Sequence, residues 1–233
     1  MTDSKSCVND LSEFDVAERW NENADQWTRD VRDGFDVYRD QFTFPAFLAA
    51  LPPIDGLDVI DFGCGEGTNT RAFARLGARV TGIDLSPRMI QHAQRTEEAD
   101  PLGIRYRVSS YSDHCGIADG SFDAVLSTMA LMDGPDLAGA VREAYRLLRP
   151  EGFILFSVLH PCFITPGLGW EKDADGHTTG LRVARYFDRS SFTEHWRFGN
   201  RPKETRKSFR SPFPDFRARS ATTLTLLPRQ ALS

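Results

Sequence analysis

The chain has 233 residues, enough for one α/β domain with a sizeable core and a small cap. Its net charge of −5 is uneven: residues 182–233 carry 12 basic and four acidic side chains, and the preceding residues carry 16 basic and 29 acidic ones. The basic residues are scattered among Pro, Phe and Ser without helical or strand spacing, which argues against a nucleic-acid partner. The longest apolar run, residues 152–159, is too short to cross a bilayer, so we expect no membrane partner.

The spacing of the cysteines and the N-terminal residues indicate the cellular compartment. The four cysteines lie far apart and form no C-x-x-C pair, which predicts reduced thiols rather than a disulfide frame or a metal site; they are Cys7, Cys64, Cys115 and Cys162. The N-terminal residues contain no apolar signal segment, so we expect a cytoplasmic protein. No sequence feature indicates an oligomeric state.

The first fifty residues are predicted to be helical. Between Phe14 and Val31, apolar residues recur at intervals of three or four positions. Gly34 interrupts this pattern, and Pro45 predicts a second helix that runs to Leu51.

Strands and helices then alternate. Strands are predicted at 58–63, 79–84, 104–109, 122–128 and 152–159, and helices at 68–76, 87–95 and 136–148. Because the strands are almost continuously apolar, the alternation predicts an α/β fold with a doubly wound, Rossmann-like, mostly parallel sheet flanked by helices. The Arg149-Pro-Glu-Gly152 segment is expected to form the turn before the last of these strands. Past residue 163 the periodicity fails, and only short strand-like pieces such as 182–187 are predicted.

The segment after the first strand predicts a ligand site. It reads Asp61-Phe-Gly63-Cys64-Gly65-Glu-Gly67, and its glycines remove side chains where the backbone must approach a ligand. The small Cys64 fits inside this turn, and a helix is expected from about Thr68. The second strand ends at Asp84, an acid suited to binding the two hydroxyls of a ribose. The two features predict a nucleoside-cofactor pocket at the carboxyl edge of the sheet.

The spacing of the glycines distinguishes between cofactors. A dinucleotide fingerprint G-x-G-x-x-G needs a glycine at position 68, which is Thr. A pyrophosphate would also be repelled by Asp61, so a nicotinamide-dependent oxidoreductase is the weaker alternative. The pattern D-x-G-x-G-x-G resembles the first motif of class I S-adenosylmethionine-dependent methyltransferases, whose cofactor has no phosphate and carries a sulfonium cation.

Three further segments extend this resemblance over roughly residues 57–160. The family has a typical segment after its second strand, and residues 84–93 are similar to it. Residues 119–125 are similar to the D-x-S-F-D-x-V motif that leads into the fourth strand, and residues 147–152 are similar to the L-L-(K/R)-P-G-G turn before the fifth. They resemble the small-molecule methyltransferases related to the ubiquinone and menaquinone C-methyltransferases. The resemblance implies S-adenosylmethionine as the cofactor and a small organic molecule as the methyl acceptor, with direct displacement onto O, N or C.

The resemblance also implies roles for individual residues. Asp84, with its neighbour Leu85, is expected at the ribose, and the glycine turn is expected at the methionyl end. Thr128 and Met129, at the end of the fourth strand, are expected near the methyl group. Met89, like Met129, is equally a candidate for the adenosine contact and for the core.

At the adenine, this chain departs from the family pattern. The family often has an Asp-Ala pair before the fourth strand, and Tyr111-Ser112 stands there instead. We expect the backbone N–H of Ser112 and the ring of Tyr111 to contact the adenine, with Asp113 as a possible substitute.

Residues 1–56 are expected to form a helical lid over the cofactor, followed by a cofactor-binding core at 57–163. Arg39 of the lid is either the partner of the methionine carboxylate or a solvated side chain. His160 is either a proton acceptor for the substrate or a structural histidine held by Pro161. Cys162 is not expected to be a nucleophile.

The remaining residues are assigned to an irregular cap at 164–216 and an atypical tail at 217–233. Aromatic residues of the cap are expected either to roof the substrate pocket or to form the core of the cap: Trp170, Tyr186, Phe187, Phe192, Trp196 and Phe198. In the family a helix, a sixth strand and an antiparallel seventh strand complete the sheet, and the tail lacks their patterns. Restoring one base after Phe216 gives a helix-forming reading, which suggests that 217–233 is out of frame. The final strands are therefore expected to be missing, and a non-catalytic cofactor-binding remnant is the alternative function.

Overall fold

The computed structural model describes residues 12–113, 116–160, 165, 167–187, 194–196, 198, 211–213 and 224–228. Predictions for Cys7, Cys115 and Cys162, for Phe192, and for most of the tail lie outside these residues. None of the described helices combines the length and the apolar character needed to cross a membrane.

The main sheet has five parallel strands with helices on both faces. The strands are β1 (Asp58–Phe62), β2 (Arg79–Asp84), β3 (Arg105–Val108), β4 (Phe122–Thr128) and β5 (Leu148–Ser157). Their order is β5-β4-β1-β2-β3, so β1 pairs with both β2 and β4. The helices between them are α3 (Thr68–Arg75), α4 (Pro87–Ala99) and α5 (Leu137–Leu147). The predicted doubly wound sheet is confirmed.

Two apolar cores explain why the strands have so few polar residues. Val59 packs with Phe73 of α3 and Ile90 of α4 on one face of the sheet. The next residue, Ile60, points to the other face, where it packs with Ala144 of α5. Because successive strand residues face opposite sides, a strand covered on both faces must be apolar at nearly every position.

The turn predicted before β5 is a bulge within the strand. β5 begins at Leu148, which pairs with Phe122, and the next paired residue is Phe153 opposite Ala124. Glu151, within the bulge, has a φ of 68°. The predicted start at residue 152 is therefore wrong, because the chain keeps its pairing on both sides of the extra residues.

The N-terminal residues form two helical stretches, with a feature that the sequence pattern did not predict. α1 (Glu13–Arg32) begins with a capping box between Ser12 and Asp15. After residues 33–36, a π-helical segment (Arg39–Thr43) leads directly into α2 (Phe44–Ala50), which has a proline in its first turn. Single π-helical turns often mark functional sites, and this one lies next to the cavity described below.

Polar contacts hold α1 against α4. The side-chain carbonyl of Asn21 accepts hydrogen bonds from the Ser86 hydroxyl at 2.6 Å and from the Arg88 N–H at 3.2 Å. Asp25 pairs with Arg88 and lies 2.8 Å from Nε2 of His92. The first helix is thus fixed beside the end of β2, where Ser86 follows Asp84.

The region after residue 163 contains a hairpin that the sequence analysis did not place. β6 (Gly169–Lys172) pairs antiparallel with β7 (Thr178–Arg182), so the strand-like piece predicted at 182–187 is wrong. Oδ1 of Asp173 accepts N–H bonds from Asp175 and His177 within the turn, where Gly176 has a φ of 85°. A second pair joins β8 (Glu194–Trp196) and β9 (Ser211–Phe213).

The tail also corrects an expectation. β10 (Leu224–Pro228) pairs antiparallel with β5, from Leu224 opposite Ser157 to Pro228 opposite Phe153. It occupies the edge of the sheet where the resemblance places an antiparallel strand, so the expectation that the final strands are missing is wrong for this one strand. Within the described residues, no strand lies beyond β10. The proposal that 217–233 is out of frame stays a prediction.

A buried arginine joins the helices on one face of the sheet. The Arg71 side chain is 5% exposed and pairs with Glu97, at 2.7 Å, and with Asp100. Glu97 in turn accepts N–H bonds from Leu102, Gly103 and Ile104, the residues that lead into β3. Arg75, one turn later, reaches Asp100 from an exposed position.

We predict that Arg71→Met lowers the free energy of unfolding by about 2–3 kcal/mol, because it leaves the Glu97 carboxylate without its buried cation. Arg75→Met removes an exposed ion pair and should cost less than about 0.5 kcal/mol. Urea unfolding followed by circular dichroism measures both. Equal losses in the two variants would contradict this assignment.

Candidate functional site

A cavity of about 460 Å³ opens at the carboxyl edge of the sheet, below α1 and the π-helical segment. Parallel strands bring their carboxyl ends to one edge, where ligands of such sheets bind. Ten of the predicted site residues lie on its wall: Arg39, Gly63, Cys64, Gly65, Asp84, Leu85, Met89, Tyr111, Thr128 and Met129.

The glycine turn forms one side of the cavity. Gly63 and Gly65 have positive φ values of 71° and 56°. A Cβ on Gly63 would lie 2.3 Å from that of Ala130, so this glycine is needed where β1 and β4 come together. A Cβ on Gly65 would meet nothing within 4 Å, because this residue faces open space. Gly65 therefore leaves room for a ligand close to the backbone.

The carboxylate of Asp84 connects the ends of β1 and β2. Its Oδ2 accepts the Gly65 N–H at 2.9 Å, and its Oδ1 accepts the Ser86 N–H at 2.8 Å. Burial raises the pKa of Asp84, and these two N–H groups oppose that shift. Each oxygen retains a lone pair, so the group can accept two further hydrogen bonds from neighbouring hydroxyls.

The end of β4 carries a strained residue. Met129 has a φ of 57°, in the left-handed region that few side chains adopt. Its N–H donates to the backbone carbonyl of Ser157, with the Ser157 hydroxyl at 3.2 Å, so β5 holds it in place. Strain of this kind is concentrated at functional sites.

Four predicted site residues lie away from the cavity wall, and two of them belong to the packing under the glycine turn. Asp61 is fully buried, and its Oδ2 accepts a 2.6 Å hydrogen bond from the Thr70 hydroxyl of α3. Burial raises its pKa to about 7. Gly67 has a φ of 90°, and a Cβ there would meet the hydroxyl of Tyr106 at 2.6 Å. Both residues therefore support the conformation of the glycine turn through packing beneath it, and neither lines the cavity.

The other two residues outside the wall are Ser112 and His160. The N–H of Ser112 donates to the Ser110 hydroxyl at 2.9 Å, so in this structure it is already used within its own loop. Tyr111, in contrast, is on the wall, stacks on Phe62 at 5.8 Å and donates to the Ala130 carbonyl. His160 lies beyond the wall residues Ser157 and Leu159, which weakens its assignment as a proton acceptor.

Arg39 lines the cavity, but its guanidinium is engaged. Its Nε and Nη2 donate to Oδ1 of Asp40 at 2.8 and 2.6 Å. A ligand carboxylate would have to share or displace this pair. Arg39 also exerts a favourable charge effect on the buried carboxylate of Glu66 in the glycine turn.

Sequence reasoning missed several polar residues of the wall: Asp36, Glu66, Asn69 and Asp133. Asn69 donates to the Thr128 hydroxyl at 2.9 Å and so joins α3 to the end of β4. Asp133 is in the loop after β4, and an acid in a loop at the carboxyl edge was the available signal.

The surroundings of Asp133 strongly change the pKa of its carboxyl group. Burial raises its pKa to about 8, the charge of Asp84 acts in the same direction, and a hydrogen bond from Trp20 of α1 opposes them. Its backbone N–H donates to the Ala130 carbonyl at 2.9 Å, which closes a turn directly after Met129.

The roof consists of aromatic residues of the N-terminal segment rather than of the predicted cap aromatics. Trp20 packs edge-on against Trp27, with ring centroids 5.2 Å apart, and Trp27 contacts the buried Phe198. Tyr38 and Phe42, which also line the cavity, are 74% and 69% exposed and mark its mouth. Three of the cap aromatics, which were expected either to roof the pocket or to form the core of the cap, are exposed and off the wall: Trp170, Tyr186 and Phe187.

The raised acid pKa values make a prediction for the ligand-free protein. Between about pH 4 and pH 8, Asp61 and Asp133 hold protons in the folded state that they release when unfolded. Because the folded state binds more protons there, stability falls as the pH rises through this range.

We therefore expect the melting temperature to be at least about 5 °C lower at pH 8.5 than at pH 5.5, by calorimetry in matched salt. Asp133→Asn should reduce this difference, and Asp175→Asn, on the exposed hairpin turn, should leave it intact. A melting temperature that rises with pH would refute the interpretation.

Comparison with known proteins agrees with this geometry. Residues 60–156 match the family model described as "Methyltransferase domain". The "Ubiquinone biosynthesis O-methyltransferase" of Xanthomonas campestris pv. campestris is 38% identical over 114 residues, which are 49% of this chain and 48% of that protein. The chain thus matches about half the length of such curated relatives.

Two solved structures extend the match. A Listeria monocytogenes protein assigned to the S-adenosylmethionine-dependent methyltransferases is 32% identical, with a TM-score of 0.57, over 66% of this chain and 69% of that one. An S-adenosylmethionine-dependent methyltransferase from Mesorhizobium loti is 29% identical, with a TM-score of 0.55, over 74% of each chain. With the glycine turn and Asp84 at the edge of a five-stranded parallel sheet, these matches show that the chain belongs to the S-adenosylmethionine-dependent methyltransferases.

Proposed function

We propose that the chain binds S-adenosylmethionine in this cavity and transfers its methyl group to a small organic acceptor. The observation that carries the proposal is the joint between Asp84 and Gly65. It places a carboxylate with free lone pairs beside a backbone turn that faces open space. A nucleoside with an amino-acid tail needs both features next to each other.

The residues present fit this cofactor. Asp84 would hold the ribose hydroxyls, and the space beside Gly65 suits an uncharged part of the methionyl chain. Tyr111 supplies an apolar ring on the wall for the adenine, and Met89 is a buried neighbour of the same cavity. The volume of about 460 Å³ is in the range of small-molecule sites.

The bound cofactor would supply an electrophilic methyl group on a sulfonium. The chain contributes position: Asp84 and the glycine turn fix the two ends of the ligand, and Met129 is held rigidly at the end of β4 by its bonds to Ser157. Correct placement of two reactants is by itself a large contribution to rate.

The lid contributes a dry site. Trp20 and Trp27 cover the cavity, and α1 is fixed to α4 through Asn21 and Asp25. Exclusion of water strengthens electrostatic interactions and prevents side reactions. The exposed Tyr38 and Phe42 at the mouth suit an acceptor with an apolar or aromatic body.

The relatives named for O-methylation in ubiquinone biosynthesis support oxygen as the accepting atom. The free thiol of the buried Cys64 fits a reducing cytoplasm. Neither the cavity nor its mouth offers a basic surface for nucleic acid, since Arg39 is the one cationic residue among the described wall residues.

We predict that Asp84→Asn weakens binding of S-adenosylhomocysteine at least about 10-fold, because one charge-assisted acceptor of the ribose is lost. Isothermal titration calorimetry measures the affinity. Asp175→Asn is the matched control at an exposed site, and NADH is the control ligand. Tight binding of NADH, or unchanged binding by Asp84→Asn, would overturn the proposal.

We further predict that alanine substitution affects mainly ligand affinity at one glycine of the turn and mainly stability at another. Gly65→Ala should fold with a small loss of stability, about 1–2 kcal/mol from the positive φ, and should lose most affinity for S-adenosylhomocysteine because the methyl occupies ligand space. Gly63→Ala should be destabilised more strongly, since its methyl overlaps Ala130.

Thermal melts and titrations of both variants test this pair. Retained affinity in a folded Gly65→Ala protein would place the ligand elsewhere.

A further inference from the structure

We propose that the Asp133 carboxylate is the anionic partner of the cofactor's sulfonium, so that S-adenosylmethionine binds with release of a proton that the neutral S-adenosylhomocysteine does not release. This inference rests on the function proposed above. It assigns to Asp133 the recognition of the cofactor's charge, in addition to the recognition of the ribose by Asp84.

The position of Asp133 follows from the contact between β1 and β4. The sulfur of the cofactor is bonded to both the ribose and the methionyl chain, so it must lie between the ribose, held at Asp84, and the methionyl chain, held beside Gly65. Ala130 packs directly on Gly63 of that turn. Asp133 donates its N–H to the Ala130 carbonyl, and its side chain lines the same cavity. The carboxyl group is therefore beside the part of the cavity that the sulfonium would occupy.

The groups that face Asp133 leave it available for a cation. Trp20 of α1 donates a hydrogen bond to it, Asp84 at the end of β2 repels its charge, and the neutral Tyr111 lies on the same wall. Among the residues that the structure describes, no Lys, Arg or His forms an ion pair with it.

The other acids of the wall are already engaged or differently placed. Glu66 accepts the N–H and hydroxyl of Thr68, two residues along the turn. Asp36 belongs to the segment after α1 and accepts the N–H of Arg39. Asp84 accepts two backbone N–H groups.

The protonation state makes the assignment measurable. With its pKa raised to about 8 by burial, Asp133 is mostly protonated at pH 7 in the ligand-free protein. A cation at contact distance favours the carboxylate and so expels the proton. The thioether of S-adenosylhomocysteine has no charge, so it does not favour loss of the Asp133 proton.

The same carboxylate can close the charge balance of turnover. When an acceptor hydroxyl or amine gains the methyl group, it loses one proton, and the ligand sulfur becomes neutral. Asp133 takes that proton at its carboxylate oxygen and becomes neutral too. One positive and one negative charge disappear together, so the dry cavity is not left with an unpaired charge.

The test is isothermal titration calorimetry of the full chain with each ligand, in buffers of different ionisation enthalpy, without an acceptor. At pH 7 we expect S-adenosylmethionine to release about 0.8–0.9 proton more than S-adenosylhomocysteine, and at pH 9.5 we expect almost no difference. The comparison isolates the sulfonium, because both ligands cover Asp84, Glu66 and the glycine turn alike.

Asp133→Asn should remove this difference and weaken S-adenosylmethionine about 10-fold, with S-adenosylhomocysteine changed less than about 2-fold. Asp36→Asn, the matched control for another acid of the wall, should keep the difference. Trp20→Phe removes a donor that favours the ionised form, so the midpoint of the pH dependence should move upward.

Equal proton release by the two ligands in the wild type, or a difference that persists in Asp133→Asn, would overturn the assignment and leave the proposed function intact. Failure of both ligands to bind would overturn both proposals. If Asp133→Asn does not fold, Trp20→Phe decides, and an unmoved midpoint refutes the role of Asp133.

Discussion

The hydrogen bond from the Gly65 N–H to the Asp84 carboxylate is the contact on which the site depends. It joins the turn after β1 to the end of β2, and the second oxygen of Asp84 binds the N–H of Ser86 at the start of α4. Two strand ends and a helix start are thereby held around one acid. Since the acid keeps free lone pairs toward the cavity, the interaction that fixes the turn also leaves the chemistry for recognising a ribose.

The lid is attached at the same place. Ser86, whose N–H binds Asp84, donates its hydroxyl to Asn21 of α1, and Ser110, in the loop after β3, donates to Glu13 at the start of α1. α1 is therefore connected to the ends of two strands, while the π-helical segment and the exposed Tyr38 and Phe42 lie at the mouth. We infer that ligands enter on this side, because the exposed Tyr38 and Phe42 line the cavity there.

The sequence predicted the sheet well because its strands are buried on both faces and are separated by clear helix signals. β2 and β4 were predicted with the bounds that the structure shows. Errors arose where pairing overrode local signals: Pro150 and Gly152 suggested a turn, but β5 runs through them as a bulge. The hairpin of β6 and β7 was missed although Asp175-Gly176 is a recognised turn pair.

For the site, motif residues at strand ends were placed correctly on the wall, as Gly65, Asp84 and Thr128 show. Asp61 was wrongly placed at the cofactor, because strand alternation directs its side chain toward α3, where the Thr70 hydroxyl donates a hydrogen bond to it. Asp133 was missed because its position in a loop at the carboxyl edge was the one available signal, and its importance arises only when Trp20 and Asp84 face it. Long-range neighbours of this kind cannot be read from spacing. The pairing of β10 with β5 involves backbone groups, so it is independent of the reading frame of residues 217–233. Sequencing of the gene tests the prediction that these residues are out of frame.

A cavity lined by Asp36, Glu66, Asp84 and Asp133 carries a cost that only a ligand can offset. Burial raises the pKa of all four carboxyl groups in the ligand-free state, and it raises that of Asp133 to about 8, so Asp133 is mostly protonated near pH 7. A sulfonium reverses that preference at one position, and its loss on methyl transfer restores it. The acid that destabilises the empty cavity thereby becomes the means of distinguishing the charged cofactor from its neutral product. A hydrophobic residue in the same turn would pack at lower cost, so the contribution of Asp133 lies in that difference in affinity and not in stability.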